Sequence, residues 1–165
     1  MIMCLNCGSF FPDDDMGHAK DTTGESLCVC PDCGSPDLTE ADQCAICGEP
    51  YDVGDLIYGT VCDGCFRKHR TIREFCEWSD TFLDRSEPTP LDDLVLTQIL
   101  RLSYRPGYVF CESETHEMLR KIFDECAATK YGAIILEGYI TDHLTGEWRS
   151  EYAEWLGEKA AKGEI

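Results

Sequence analysis

Cys4-Leu5-Asn6-Cys7-Gly8 opens the chain. The same spelling returns as Cys30-Pro31-Asp32-Cys33-Gly34 and as Cys44-Ala45-Ile46-Cys47-Gly48, and a fourth pair follows at Cys62-Asp63-Gly64-Cys65. Two thiolates three positions apart grip one cation from a tight turn, and a glycine just after them lets the backbone swing round with no Cβ in the way. Two such turns supply a tetrahedral set of sulfurs, and four supply two sets. The expected ligands are therefore Cys4, Cys7, Cys30, Cys33, Cys44, Cys47, Cys62 and Cys65, and the spacing reads as two structural Zn²⁺ sites.

Two pairings of the turns follow known modules. Sequential pairing gives one site from Cys4, Cys7, Cys30 and Cys33 and another from Cys44, Cys47, Cys62 and Cys65. Cross-bracing, as in RING-like modules that recruit proteins for ubiquitin transfer, joins the first pair to the third and the second to the fourth. The mixed Cys/His ligand order usual in such modules is missing here. Four cysteines are left over: Cys28 and Cys76 read as packed or spare thiols, Cys126 falls on a helical stripe, and Cys111 is treated below.

The bulk composition narrows the function. The 165 residues include 14 basic and 32 acidic side chains, a formal net charge of -18, with 43% hydrophobic residues and 12 cysteines. Two four-thiolate zinc sites add about two negative charges each. Such a surface repels nucleic-acid phosphate and anionic lipid and favours a partner with a basic face. The first residues show no basic region followed by an apolar run, and no stretch is long enough to span a bilayer. Metal-bound thiolates in a reducing cytoplasm are the expectation.

Residues 1–40 resemble a zinc ribbon, in which two knuckles clamp a metal between short hairpins. The 22 residues between Cys7 and Cys30 are polar and carry Asp13, Asp14 and Asp15. His18 reads as a loop histidine. Residues 41–86 resemble a treble-clef zinc finger: a knuckle, a hairpin over Val53–Val61, and a second ligand pair opening a long helix from Phe66 to about Leu83. Phe66, Ile72, Phe75, Trp78 and Phe82 fall near helical spacing. Arg67, Lys68, Arg70 and Arg73 make that helix the one basic patch, and His69 reads as an outward polar residue.

Residues 87–165 are expected to form an α+β, mostly helical unit. Thr89 and Pro90 open a helix over Leu91–Leu102. Tyr108–Cys111 reads as a short strand, and Ser113 caps a helix to about Lys130. Ala133–Ile140 has the β-branched and aromatic content of a strand. Trp148–Lys162 is a last amphipathic helix.

The fold class expected is thus small zinc-bound β/α modules, ribbon plus treble clef, followed by that C-terminal unit. No phosphate-cradling loop, dinucleotide glycine pattern or His-Glu-x-x-His is present. Cys111, with His116 nearby, is the one nucleophile candidate, but Glu112, Glu114 and Glu117 disfavour its thiolate. The leading expectation is a non-enzymatic acidic binding protein that engages a basic surface of a nucleic-acid-handling protein. In charge and size the chain resembles small phage-type inhibitors that mimic DNA, including anti-CRISPR and anti-restriction proteins, which implies an inhibitory role. The alternatives are a nucleic-acid-binding or transcription-associated zinc finger acting through the Arg67–Arg73 helix, and an enzyme dependent on Cys111.

Overall fold

The computed structural model describes residues 1–85, 88–99 and 116–165. They form two compact units: one comprises 1–66 together with 156–165, the other 67–155. The strand predicted at Tyr108–Cys111, the cap at Ser113, and Cys111 itself lie outside the described residues.

The first unit is built from short strands. Strands β1 (Ile2–Cys4), β2 (Phe10–Phe11), β5 (Leu38–Gln43) and β6 (Pro50–Asp52) form an antiparallel sheet in the order β2-β1-β5-β6. Strand β5 is shared: its first half pairs with β1, Ile2 opposite Glu40 and Cys4 opposite Leu38, and its second half pairs with β6, Ala41 opposite Asp52. A separate hairpin joins β3 (Gly17–Lys20) to β4 (Ser26–Val29). Its turn is closed by Asp21, whose Oδ1 accepts from the backbone N–H groups of Thr23 and Glu25, both at 2.8 Å. A second hairpin, β7 (Leu56–Ile57) with β8 (Val61–Cys62), turns through Tyr58 and Gly59, both with positive φ. Helix α1 (Asp63–Lys68) follows at once.

Around the first sulfur group the apolar cluster is small: Phe11 packs with buried Cys4 and Cys30, and Ile2, Met16 and Leu38 add to it among the described residues. At the other end of the chain, Gly157 lies so close to the loop before β8 that a Cβ there would sit 2.3 Å from the Thr60 side chain.

The second unit is helical throughout its described residues. It holds α2 (Ile72–Asp80), α3 (Pro90–Leu94) with a wider turn over Val95–Ile99, α4 (His116–Ala127), α5 (Lys130–His143) and the larger part of α6 (Gly146–Ala161). Trp78 is its hub. Its ring meets Phe82, Trp148 and Tyr152 edge-on at 5.3, 5.6 and 5.1 Å between centroids, the arrangement that aromatic quadrupoles favour. His143 stacks on Trp148, and burial pushes its pKa down while Asp93 pulls it up.

Two sequence expectations are corrected here. The long helix from Phe66 to Leu83 is two helices, α1 and α2. Thr71 breaks it: its hydroxyl accepts from the Glu74 N–H at 3.2 Å and donates to the Glu74 carboxylate at 2.6 Å, a capping box that starts a new helix. The strand expected at Ala133–Ile140 is helix α5. Thr129 caps it, accepting from the Gly132 N–H at 2.9 Å, and Gly132, Leu136 and Ile140 bury one face at four-residue spacing. Packing on that face overrides the strand preference of the isoleucines. Tyr131 and Gly132 lie in the first turn of α5. The Thr89 cap is as expected, with its hydroxyl accepting from the Asp92 N–H at 3.2 Å.

Two glycines of α5 differ in what surrounds them. A Cβ on Gly132 would lie 2.0 Å from the Cys126 carbonyl oxygen, whereas one on Gly138 would meet nothing within 4 Å. Gly132→Ala should therefore destabilise the fold by ~2 kcal/mol through forced displacement of α4 against α5. Gly138→Ala should stabilise it by about 0.5–1 kcal/mol through helix propensity. Thermal melts of the two variants, moving in opposite directions from the parent, check both.

Candidate metal centres

Three of the Cys-x-x-Cys turns are built alike. At Cys4 the backbone N–H donates to the Ser9 carbonyl at 2.9 Å, and the Gly8 N–H donates back to the Cys4 carbonyl at 2.8 Å. The same two bonds tie Cys30 to Ser35 and Gly34, and Cys44 to Glu49 and Gly48, all at 2.8–2.9 Å. Each loop needs its glycine in the left-handed region, and φ is 76°, 74° and 72° at Gly8, Gly34 and Gly48. The fourth turn is different: Cys62 ends β8 and Cys65 sits in the first turn of α1, where the Cys65 N–H points at the Cys62 sulfur at 3.4 Å.

These turns gather the sulfurs into two groups, Cys4 with Cys7, Cys30 and Cys33, and Cys44 with Cys47, Cys62 and Cys65; within each, all sulfurs lie within 4.8 Å of one another. The grouping is sequential, and the cross-braced order is not the one adopted. All eight predicted ligands are thus brought together. Cys28, expected to be packed or spare, is exposed on β4 opposite His18. Cys76 is buried in α2, and burial pushes its thiol up to about 11. His69 is no outward helix residue: it sits between α1 and α2 with Nδ1 2.7 Å from Glu74.

The spacing fits a metal and excludes disulfides. Cys4 and Cys33 sulfurs are 3.6 Å apart, as are those of Cys7 and Cys30. A disulfide needs about 2.05 Å, whereas four sulfurs about 2.3 Å from a central zinc are separated by about 3.8 Å.

The surroundings of the sulfurs are uneven. Hydrogen bonding from Ser9, first its hydroxyl and then its backbone, lowers Cys7 to about 6, while burial lifts Cys4 to about 11. In the second group, burial of Cys44 opposes ionisation, but the N–H groups of Cys62, Cys47 and Ile46 outweigh it and bring the thiol to about 6. Cys65 is pushed upward by burial and by the sulfurs beside it. Negative charges this close oppose one another, and a divalent cation among them reverses that opposition.

One supporting residue was not read from the sequence. The Tyr51 hydroxyl on β6 neighbours the sulfurs of Cys62 and Cys47, whose interaction with it pushes its own pKa up. Register places it there: Tyr51 pairs with Asp42, two residues before Cys44. A tyrosine three residues beyond the knuckle glycine was the available signal.

The basic patch is also reshaped. Arg67 and Arg70 line a recess of about 290 Å³ with Thr71, Glu137 and Thr141. Arg73 lies 3.6 Å from Glu77. The four bases do not share one helix. Among the described residues no helix is long and apolar enough to cross a membrane. Comparison with protein-family models, with curated proteins and with solved structures gives no match.

Removing the Tyr51 hydroxyl tests the second group. Tyr51→Phe should weaken metal binding there by ~10–100-fold, the usual cost of losing an outer partner, and leave the first group unchanged. A chelator-competition titration resolving two metal equivalents reads both.

Proposed function

We propose that this chain is a zinc-stabilised, non-enzymatic binding protein whose acidic exterior engages a basic surface of a nucleic-acid-handling protein and inhibits it by occupying the place of phosphate. The observation that carries the first half is the two closed tetrads of thiols at zinc-compatible spacing. Four protein sulfurs leave no coordination position for substrate or water, so the metals hold structure and do no chemistry. The ribbon-like arrangement of the first site and the treble-clef-like arrangement of the second, with Cys65 on a helix start, support the zinc assignment.

The second half rests on charge. A net -18 over 165 residues attracts basic surfaces over about a Debye length, about 8 Å at physiological salt, and the attraction falls as salt rises. The split of the predicted basic helix at Thr71 favours this reading over direct nucleic-acid binding, because the four bases do not share one helix.

Metal analysis of the purified chain should give two zinc ions per molecule. Cys47→Ser and Cys62→Ser should each lose one and unfold the second site's segment, since metal binding there is folding free energy of about 10 kcal/mol or more. A variant keeping both its zinc and its melting profile overturns the ligand assignment. For the partner, affinity capture from host cytosol should retain a basic nucleic-acid-handling protein that elutes with rising salt. A shift of plain duplex DNA at moderate salt would replace this reading with the nucleic-acid-binding one.

A further inference from the structure

Helix α5 turns an uncharged ridge outward. Tyr131 is 78% exposed, Ile134 61% and Ile135 37%. The same face carries Gly138, where a Cβ would find no atom within 4 Å. A glycine inside a helix costs about 1 kcal/mol relative to alanine. Gly132 repays that cost by letting α5 approach the end of α4. Among the described residues nothing at Gly138 uses the space.

The ridge is complementary to itself. Tyr131 and Gly138 are seven residues apart, and Ile134 and Ile135 lie midway between them, so bulk at one end matches a gap at the other. A second α5 laid antiparallel and centred on the Ile134–Ile135 bond sets each Tyr131 ring over the other copy's Gly138, with the isoleucines meeting at the centre. Lys130 and Glu137, also seven apart, border the ridge on one edge. In the same pairing Lys130 of each copy comes within about 3 Å along the axis of the other copy's Glu137, at about 1.5 Å rise per residue, an edge pair of opposite charge as in antiparallel coiled coils.

We propose that the chain self-associates through α5 as an antiparallel two-fold dimer, with Tyr131, Ile134, Ile135 and Gly138 as the contact and Lys130 and Glu137 as the pair that sets its direction. The exposed area of three side chains is well under the ~800 Å² per partner of a stable interface. The dimer is therefore weak, with a dissociation constant on the order of 100 µM. Two copies each carrying -18 repel at long range, so added salt tightens this contact, the opposite of its effect on a basic partner.

Sedimentation equilibrium of the zinc-loaded full chain, over a concentration series at low and high salt, tests this. The expected result is a monomer–dimer equilibrium that tightens with salt. Gly138→Gln, which fills the gap in open space, should weaken it ~tenfold or more without lowering the melting temperature. Lys130→Glu should weaken it, and adding Glu137→Lys to that variant should restore it. A chain that stays monomeric throughout overturns the proposal. So does a dimer that tightens as salt is removed, one indifferent to Gly138→Gln, or one that the charge swap fails to rescue. Zinc content and partner capture are read separately, so failure here leaves the zinc and partner assignments standing or falling on their own tests.

Discussion

The spacing of sulfur around two centres is the constraint on which the first unit depends. Its strands are two to six residues long, and the apolar cluster around the first sulfur group rests on Phe11, two cysteines and three partly buried neighbours. Strands so short do not hold together on hydrogen bonds alone, and a core so small does not offset the entropy of ordering the chain. A metal ion bound by four sulfurs would tie distant turns to one point and supply the missing free energy. The second unit needs no such device, because Trp78, Phe82, Trp148 and Tyr152 give it a packed aromatic interior.

Strand β5 links the two centres. It leaves the Cys30–Cys33 turn, pairs with β1 and then with β6, and delivers the chain to Cys44. The two sulfur groups therefore share one sheet, and the six residues of β5 fix the distance between them. The β5–β6 register sets Tyr51 on β6 beside the second group, so the shared strand also positions a hydroxyl next to those sulfurs. Disturbing the β5 pairing would disturb both groups at once.

Local chemistry was legible in the sequence, and competition between local and tertiary preferences was not. The eight cysteines could be read because the turn that gathers each pair is encoded within six residues, glycine included. Thr89 and Pro90 were legible for the same reason. The break at Thr71 was also written locally, as Thr71-Ile72-Arg73-Glu74, but the aromatic spacing through Phe66, Phe75 and Phe82 masked it. Ala133–Ile140 carried a strand's composition and became a helix because Leu136 and Ile140 found partners on one side. Tyr51 was invisible because only strand register brings its hydroxyl to sulfur. The grouping of the thiols depended on topology, and spacing alone did not choose between the sequential and the cross-braced order.

Gly157 belongs to the same unit as the loop at Thr60. In order of synthesis, the helix end that covers this loop leaves the ribosome long after the strands it joins. The nascent first unit therefore forms this last contact only after α6 has been made. Translation that stops short of α6 would release a chain with its cysteine turns intact and that seat uncovered, a form suited to recognition by quality control.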